Sequence, residues 1–185
     1  MGEPGTKEPL SLEELEASAG LRTGRKHVLS ILVENKSGVL TRIAGLFARR
    51  GFNIDTLTVG PTDDEHISRV TLTVDGAVHP IDQVTKQLHK LVNVLKIRDL
   101  EPTDTVAREL ALFKVSADGV QRGELMQIAE IFRGKIIDVT RRSLIVEVTG
   151  TWEKIEAFER MVRPFGLIEM ARTGEIAIAR GRGET

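Results

Sequence analysis

Residues 27–60, HVLSILVENKSGVLTRIAGLFARRGFNIDTLTVG, decide the fold. The run opens with a β-rich, mostly apolar stretch over 27–34, the pattern of a largely buried strand. Asn35-Lys36-Ser37-Gly38 is a turn, and Ser37 is placed to cap a following helix. Val39, Leu40, Ile43, Leu46 and Phe47 then recur at helical spacing, with Gly51 as the stop signal. Residues 52–60 return to strand character through Ile54, Leu57 and Val59.

The pattern continues outward from there. Residues 61–65 are a polar turn, and Val70, Leu72 and Val74 alternate in the next strand. After a break at 75–80, Ile81, Val84, Leu88 and Leu91 form one helical stripe. Residues 92–100 make a fourth strand. EPTDT at 101–105 is a linker by composition, and the order then repeats. Strand 109–117 precedes helix 124–132, which turns Leu125, Ile128 and Phe132 inward. Strands 135–140 and 144–149 flank Arg141-Arg142-Ser143, and helix 152–162 turns Trp152, Ile155, Phe158 and Val162 inward. Residues 167–179 alternate like a strand broken near Gly174, and 180–185 read as a frayed tail. Ile43-Ala44-x-x-Phe47 is echoed by Ile128-Ala129-x-x-Phe132, consistent with duplication.

Two βαββαβ units predict an α+β protein of two ferredoxin-like domains, each an antiparallel sheet with both helices on one face. Right-handed crossovers put the second and fourth strands of each unit at the sheet edges. Each unit is small for a self-sufficient core, and open edges favour pairing, so a twofold homodimer is expected.

The chain has 185 residues, no Cys and a formal net charge of -1. Without Cys there is no disulfide, thiolate metal site or cysteine nucleophile. The balanced charge does not steer the chain to nucleic acid or an acidic membrane. No apolar run reaches the roughly 18 residues of a membrane span, and the acidic start lacks the features of a signal peptide, so a cytoplasmic protein is expected. His27, His66, His79 and His89 show no metal-ligand spacing.

The turn at 34–40 has chemistry of its own. A helix start exposes unpaired N–H groups and a partial positive charge, where a carboxylate can sit without Arg or Lys. Gly38 lets a ligand approach the backbone, and the Asn35 amide suits the head of an amino acid. Val39 and Leu40 would line a recess for an aliphatic side chain. Asn53 could add a second amide from the same or a neighbouring subunit. A strand-to-helix turn also needs small polar residues for purely structural reasons.

At these residues the chain resembles a known family. ENKSGVLTRIAGLFARRGFNIDTLTVGPTDD, KQLHKLVNVLKIRDL and AEIFRGKIIDVT look like the small subunits of acetohydroxyacid (acetolactate) synthase, and residues 27–100 resemble an ACT domain. With this resemblance the chain divides into an arm over 1–25, an ACT domain over 26–101, a linker over 102–107 and a carboxy-terminal domain over 108–181. It implies a non-catalytic chain that activates a catalytic large subunit in valine, leucine and isoleucine synthesis and confers feedback inhibition, usually by valine. Thiamine diphosphate, Mg²⁺ and FAD would belong to that partner, with no cofactor on this chain. Effector would bind where two ACT domains meet, and matching residues assign it Asn35, Gly38, Val39, Leu40, Asn53 and Ile54, with Ser37 and Thr41 as neighbours. The second half lacks the Asn-x-Ser-Gly turn, and Asp118 in the place of Asn35 would repel a carboxylate.

Three alternatives stand beside this reading. A stand-alone amino-acid sensor would keep the ligand and change the partner. A nucleic-acid module needs sheet-face aromatics, which a chain with 4% aromatics and no Tyr supplies poorly. An enzyme needs a nucleophile–base pair, a phosphate loop or a metal motif, and the sequence presents none.

Overall fold

A computed structural model describes residues 26–75 and 80–181. The arm over 1–25, most of the break at 75–80 and the tail beyond 181 therefore lie outside the described residues.

The amino-terminal half runs β1 (Lys26–Glu34), α1 (Val39–Arg50), β2 (Thr56–Pro61), β3 (Ile67–Asp75), α2 (Ile81–Leu88) and β4 (Val94–Leu100). The other half runs β5 (Thr105–Ser116), α3 (Gly119–Ile131), β6 (Lys135–Val139), β7 (Ser143–Gly150), α4 (Trp152–Val162), β8 (Leu167–Arg172) and β9 (Ile176–Ala179). The sheets are ordered β2-β3-β1-β4 and β6-β7-β5-β8, with β9 added to the start of β5. All pairings are antiparallel. This is the expected pair of ferredoxin-like units, with the second and fourth strand of each at an edge.

Strand alternation explains the two cores. Leu29, Ile31 and Val33 pair with Leu72, Val70 and Ser68, so all point to the helix face. There Leu29, Ile31, Ile43, Leu72 and Leu88 are fully buried. The second core holds Phe113 and Phe158 edge to face at 4.9 Å, with Phe132 and Phe158 at 5.3 Å. Burying the Phe113 and Phe158 rings is worth about 1.5–3 kcal/mol each.

Several expectations are corrected. The linker expected over 102–107 is a short 3-10 turn, Pro102–Asp104, running directly into β5 at Thr105. Polar Thr105 stays in strand because residues Thr105–Arg108 pair with β9. The helix expected from 124 begins at Gly119. The second strand begins at Thr56 rather than 52, because Phe52 packs edge to face on Phe47 at 5.8 Å. Trp152 does not point into the core. Its ring carries the Lys26 ammonium 3.7 Å from the centroid, joining the two halves. Arg180 is tied by its amide to the Asp104 carbonyl at 2.7 Å.

The face of the first sheet left free by helices is not bare. The β5–β9 ribbon lies against it, with β9 touching β1 and β4. Ser30, Thr71 and Thr73, which point to that face, are buried. Beside them the Arg172 guanidinium makes two hydrogen bonds to the Glu109 carboxylate, at 2.9 and 2.7 Å, and one to Glu156 at 2.7 Å.

Candidate functional site

The loop between β1 and α1 is four residues long, Asn35 to Gly38. Gly38, not Ser37, is the residue that caps the helix, with φ 83° and ψ -5°. A left-handed residue here is natural for Gly and strained for a bulky residue. No side chain caps α1, and its first turn holds no acidic residue. Val39 donates to the Lys36 carbonyl at 3.3 Å and Arg42 to the Gly38 carbonyl at 3.1 Å. That leaves the amides of Leu40 and Thr41 for an acceptor from outside, at the positive end of the helix. An added Cβ on Gly38 would meet nothing within 4 Å, so the loop is open above it.

Asn35 anchors the loop. Its backbone amide donates to the His66 carbonyl at 2.7 Å, and its Nδ2 donates to the Glu65 carbonyl at 2.8 Å. The side-chain donor is thus spent on the β2–β3 turn, and Oδ1 is the atom left to accept from an ammonium. Leu40 is 43% exposed, so it offers an apolar surface beside the free amides. Val39 is corrected: it is 6% exposed and belongs to the core, not to a recess.

A second polar group, which the sequence reading missed, flanks the loop. Arg42 donates to Asn93 Oδ1 at 2.7 Å, Asn93 Nδ2 donates to the Glu34 carboxylate, and Lys36 reaches the same carboxylate at 3.1 Å. The Asn93 hydrogen bond first, then that of Lys36, holds the Glu34 carboxyl below the usual range. Glu34 is thereby kept ionised and occupied beside a loop that would receive an anion. A contiguous motif search cannot find it, because Asn93 lies 51 to 59 residues from its partners.

Asn53 and Ile54 are not brought to the loop. Glu34 pairs with Ile67 and Pro61 with Ser68 at one end of the sheet, whereas Thr56 pairs with Thr73 at the other. Asn53 and Ile54 precede Thr56, so the 12 residues of α1 separate them from Gly38, about 18 Å along the helix axis. Asn53 is exposed, with Nδ2 donating to Asp55 Oδ1 at 3.1 Å, and Ile54 packs on the core.

The carboxy-terminal unit repeats the frame without the loop. Ala117 donates to the Arg142 carbonyl at 2.9 Å, as Asn35 does to His66. The residue in the place of Asn35 is therefore Ala117, not Asp118. Only two residues separate β5 from α3, against four between β1 and α1. Arg122 fills the space, its guanidinium donating to the carbonyls of Ala117, Thr140 and Arg141 at 3.2, 2.5 and 2.9 Å.

Among the described residues no group of three or more His, Asp or Glu could hold a metal ion. Among them, too, no helix is long and apolar enough to cross a membrane.

Comparison with known proteins gives consistent matches. Residues 29–96 match the family described as AHAS small subunit-like ACT domain, and residues 108–181 the family described as small subunit of acetolactate synthase. The acetolactate synthase small subunit of Mycolicibacterium smegmatis is 48% identical over 155 residues, covering 84% of this chain and 91% of the relative. The probable acetolactate synthase small subunit of Methanothermobacter thermautotrophicus is 52% identical over 156 residues, covering 84% and 93%. The crystal structure of an acetolactate synthase small subunit from Thermotoga maritima superposes with a TM-score of 0.77 at 45% identity, covering 86% of this chain and 99% of that one.

Proposed function

This chain belongs to the acetolactate synthase small-subunit family, a family of regulatory subunits, and from that premise we propose that it makes the catalytic large subunit responsive to a branched-chain amino acid, valine foremost. In this reading it also raises the activity of that subunit. Thiamine diphosphate, Mg²⁺ and FAD act on the catalytic partner, and this chain contributes no reacting group.

The observation that carries the proposal is the uncapped start of α1 at left-handed Gly38. The effector carboxylate accepts from the amides of Leu40 and Thr41, and the helix dipole favours its charge. Asn35 Oδ1 accepts from the ammonium. Leu40 covers the aliphatic side chain. Neither Ser37 nor Thr41 needs to supply more than backbone.

The distant position of Asn53 and Ile54 supports a site shared by two chains. If two copies pair twofold along the open β2 edge, antiparallel strands set the loop end of one sheet beside the Asn53 end of the other. The Asn53 amide and Ile54 of one protomer then close the half-site on the loop of its partner. Two such sites form in each dimer, one at each end of the joint.

The test combines two measurements. Calorimetry of the isolated chain with valine, leucine and isoleucine should show binding of at least one of them. Mixing the chain with the catalytic subunit should raise its rate and make it sensitive to the same amino acid. Binding without any effect on the synthase would overturn the choice of partner, and effect without binding to this chain would overturn the site.

A further inference from the structure

We propose that the β8–β9 turn, Thr173-Gly174-Glu175, relays occupancy of the loop site to the carboxy-terminal domain; this rests on the reading of the site just given. The strand it touches is the one the effector would move. β2 begins at Thr56, directly after Asn53, Ile54 and Asp55, and it is an edge strand held on one side by β3. The Thr58 hydroxyl donates to the Thr173 carbonyl at 3.0 Å, across the boundary between the two halves. Gly174 has φ +80°, and a Cβ there would sit 3.0 Å from Thr56 Cβ and 3.0 Å from Thr58 Oγ1. The turn is thus packed closely on Thr56 and Thr58, and a side chain at Gly174 would be strained and would press on both.

The other side of the turn is fixed in the carboxy-terminal domain. The Thr173 amide donates to the Leu110 carbonyl at 3.0 Å, and the Leu110 amide donates back to Thr173 Oγ1 at 3.2 Å. Next to them stands the ion pair of buried Glu109 with partly buried Arg172. A second tie, Lys26 over Trp152, attaches β1 near the middle of the sheet. A shift of the edge strand alone, as a second chain closes on effector, therefore moves the turn relative to a fixed neighbour. Coupling between distant sites needs an element whose energy differs between two states, and a packed contact of this kind can carry it.

The test uses the full chain in complex with the catalytic subunit, with valine as the probe. Thr58→Val removes one hydrogen bond and keeps the side-chain shape. Gly174→Ala adds a wedge at a left-handed position. For both variants valine binding to the chain alone should stay within about threefold of the parent, while the fraction of activity inhibited at saturation falls by about half or more. Activation in the absence of valine should persist, showing that the complex assembles. Where Gly174→Ala impairs assembly, Thr58→Val decides alone. Full inhibition in the variants overturns the relay, and so does a parallel loss of binding and inhibition in Thr58→Val, which would make the turn a mere support. Gly38→Asp separates the two readings. If it binds valine as the parent does, the loop assignment fails and the relay falls with it. If it loses binding while the turn variants remain fully inhibited, the relay alone fails.

Discussion

Replacing Gly38 by Asp and, in parallel, by Asn isolates the electrostatic part of effector recognition. Both residues tolerate the left-handed backbone that Gly38 adopts, φ 83°, better than other side chains do. A Cβ at this position meets nothing within 4 Å, so neither should unfold the chain. Asp near a helix start gains about 0.3–1 kcal/mol from the dipole, so the Asp variant should be at least as stable as the Asn variant. Binding should move the other way. A ligand carboxylate held by the amides of Leu40 and Thr41 lies about 4 Å from a carboxylate on residue 38. The repulsion is about 1 kcal/mol at the dielectric of water and about 4 kcal/mol at that of a half-closed site. Valine affinity should therefore be weaker in Gly38→Asp than in Gly38→Asn by about fivefold to about a thousandfold. Calorimetry at low and high salt reads the difference, and salt should narrow it. Equal affinities of the two variants at low salt, within about twofold, would refute the placement of the carboxylate at the start of α1.

Other consequences concern the joint between the two halves. Arg172→Met leaves the Glu109 carboxylate, whose side chain is 0% exposed, without its cation, and should cost about 3–5 kcal/mol in urea unfolding; Glu109→Leu added to it should recover most of that loss. Burial first, and then Glu109, raises the Glu175 carboxyl above its ordinary value of 4.5. Over a window opening near 4.5 and extending upward, the folded chain keeps a proton that the unfolded chain has released, so stability falls as pH rises. Glu175→Gln should be more stable than the parent above that window and lose its advantage below it, as thermal melts across pH would show.

The elements were legible where the information is local. Alternation in β1 and β3 and the stripe of Ile43, Leu46 and Phe47 follow from burial of one face, so their periods survive in the sequence. The loop was legible for the same reason, being four consecutive small or polar residues. Which of Ser37 and Gly38 caps the helix was not, because both are small and only the backbone angle separates them. That choice turns Val39 into the core and leaves Leu40 outside. The ties from Asn35 to Glu65 and from Arg42 through Asn93 to Glu34 were invisible because each joins residues 30 to 59 positions apart that only the tertiary fold brings together. EPTDT read as a linker because its composition is polar, yet Thr105 pairs with Ala179 from the far end of the chain.

The separation of Gly38 from Asn53 gives the proposed site a thermodynamic consequence. Gly38 and Asn53 of one chain stand at opposite ends of α1, so a single chain cannot enclose an amino acid between them. In the proposed two-chain site, effector binding and chain pairing are linked, and each must strengthen the other. Valine at about a hundred times its Kd stabilises the paired state by about 2.7 kcal/mol per site, or about twice that for two sites. Sedimentation equilibrium of a dilute solution should accordingly show tighter pairing with valine present, and Asn53→Ala should reduce the effect without altering the loop. A monomer–dimer balance that valine leaves untouched, in a chain that still binds valine, would mean that the loop of one protomer suffices and that Asn53 and Ile54 have no part in the site.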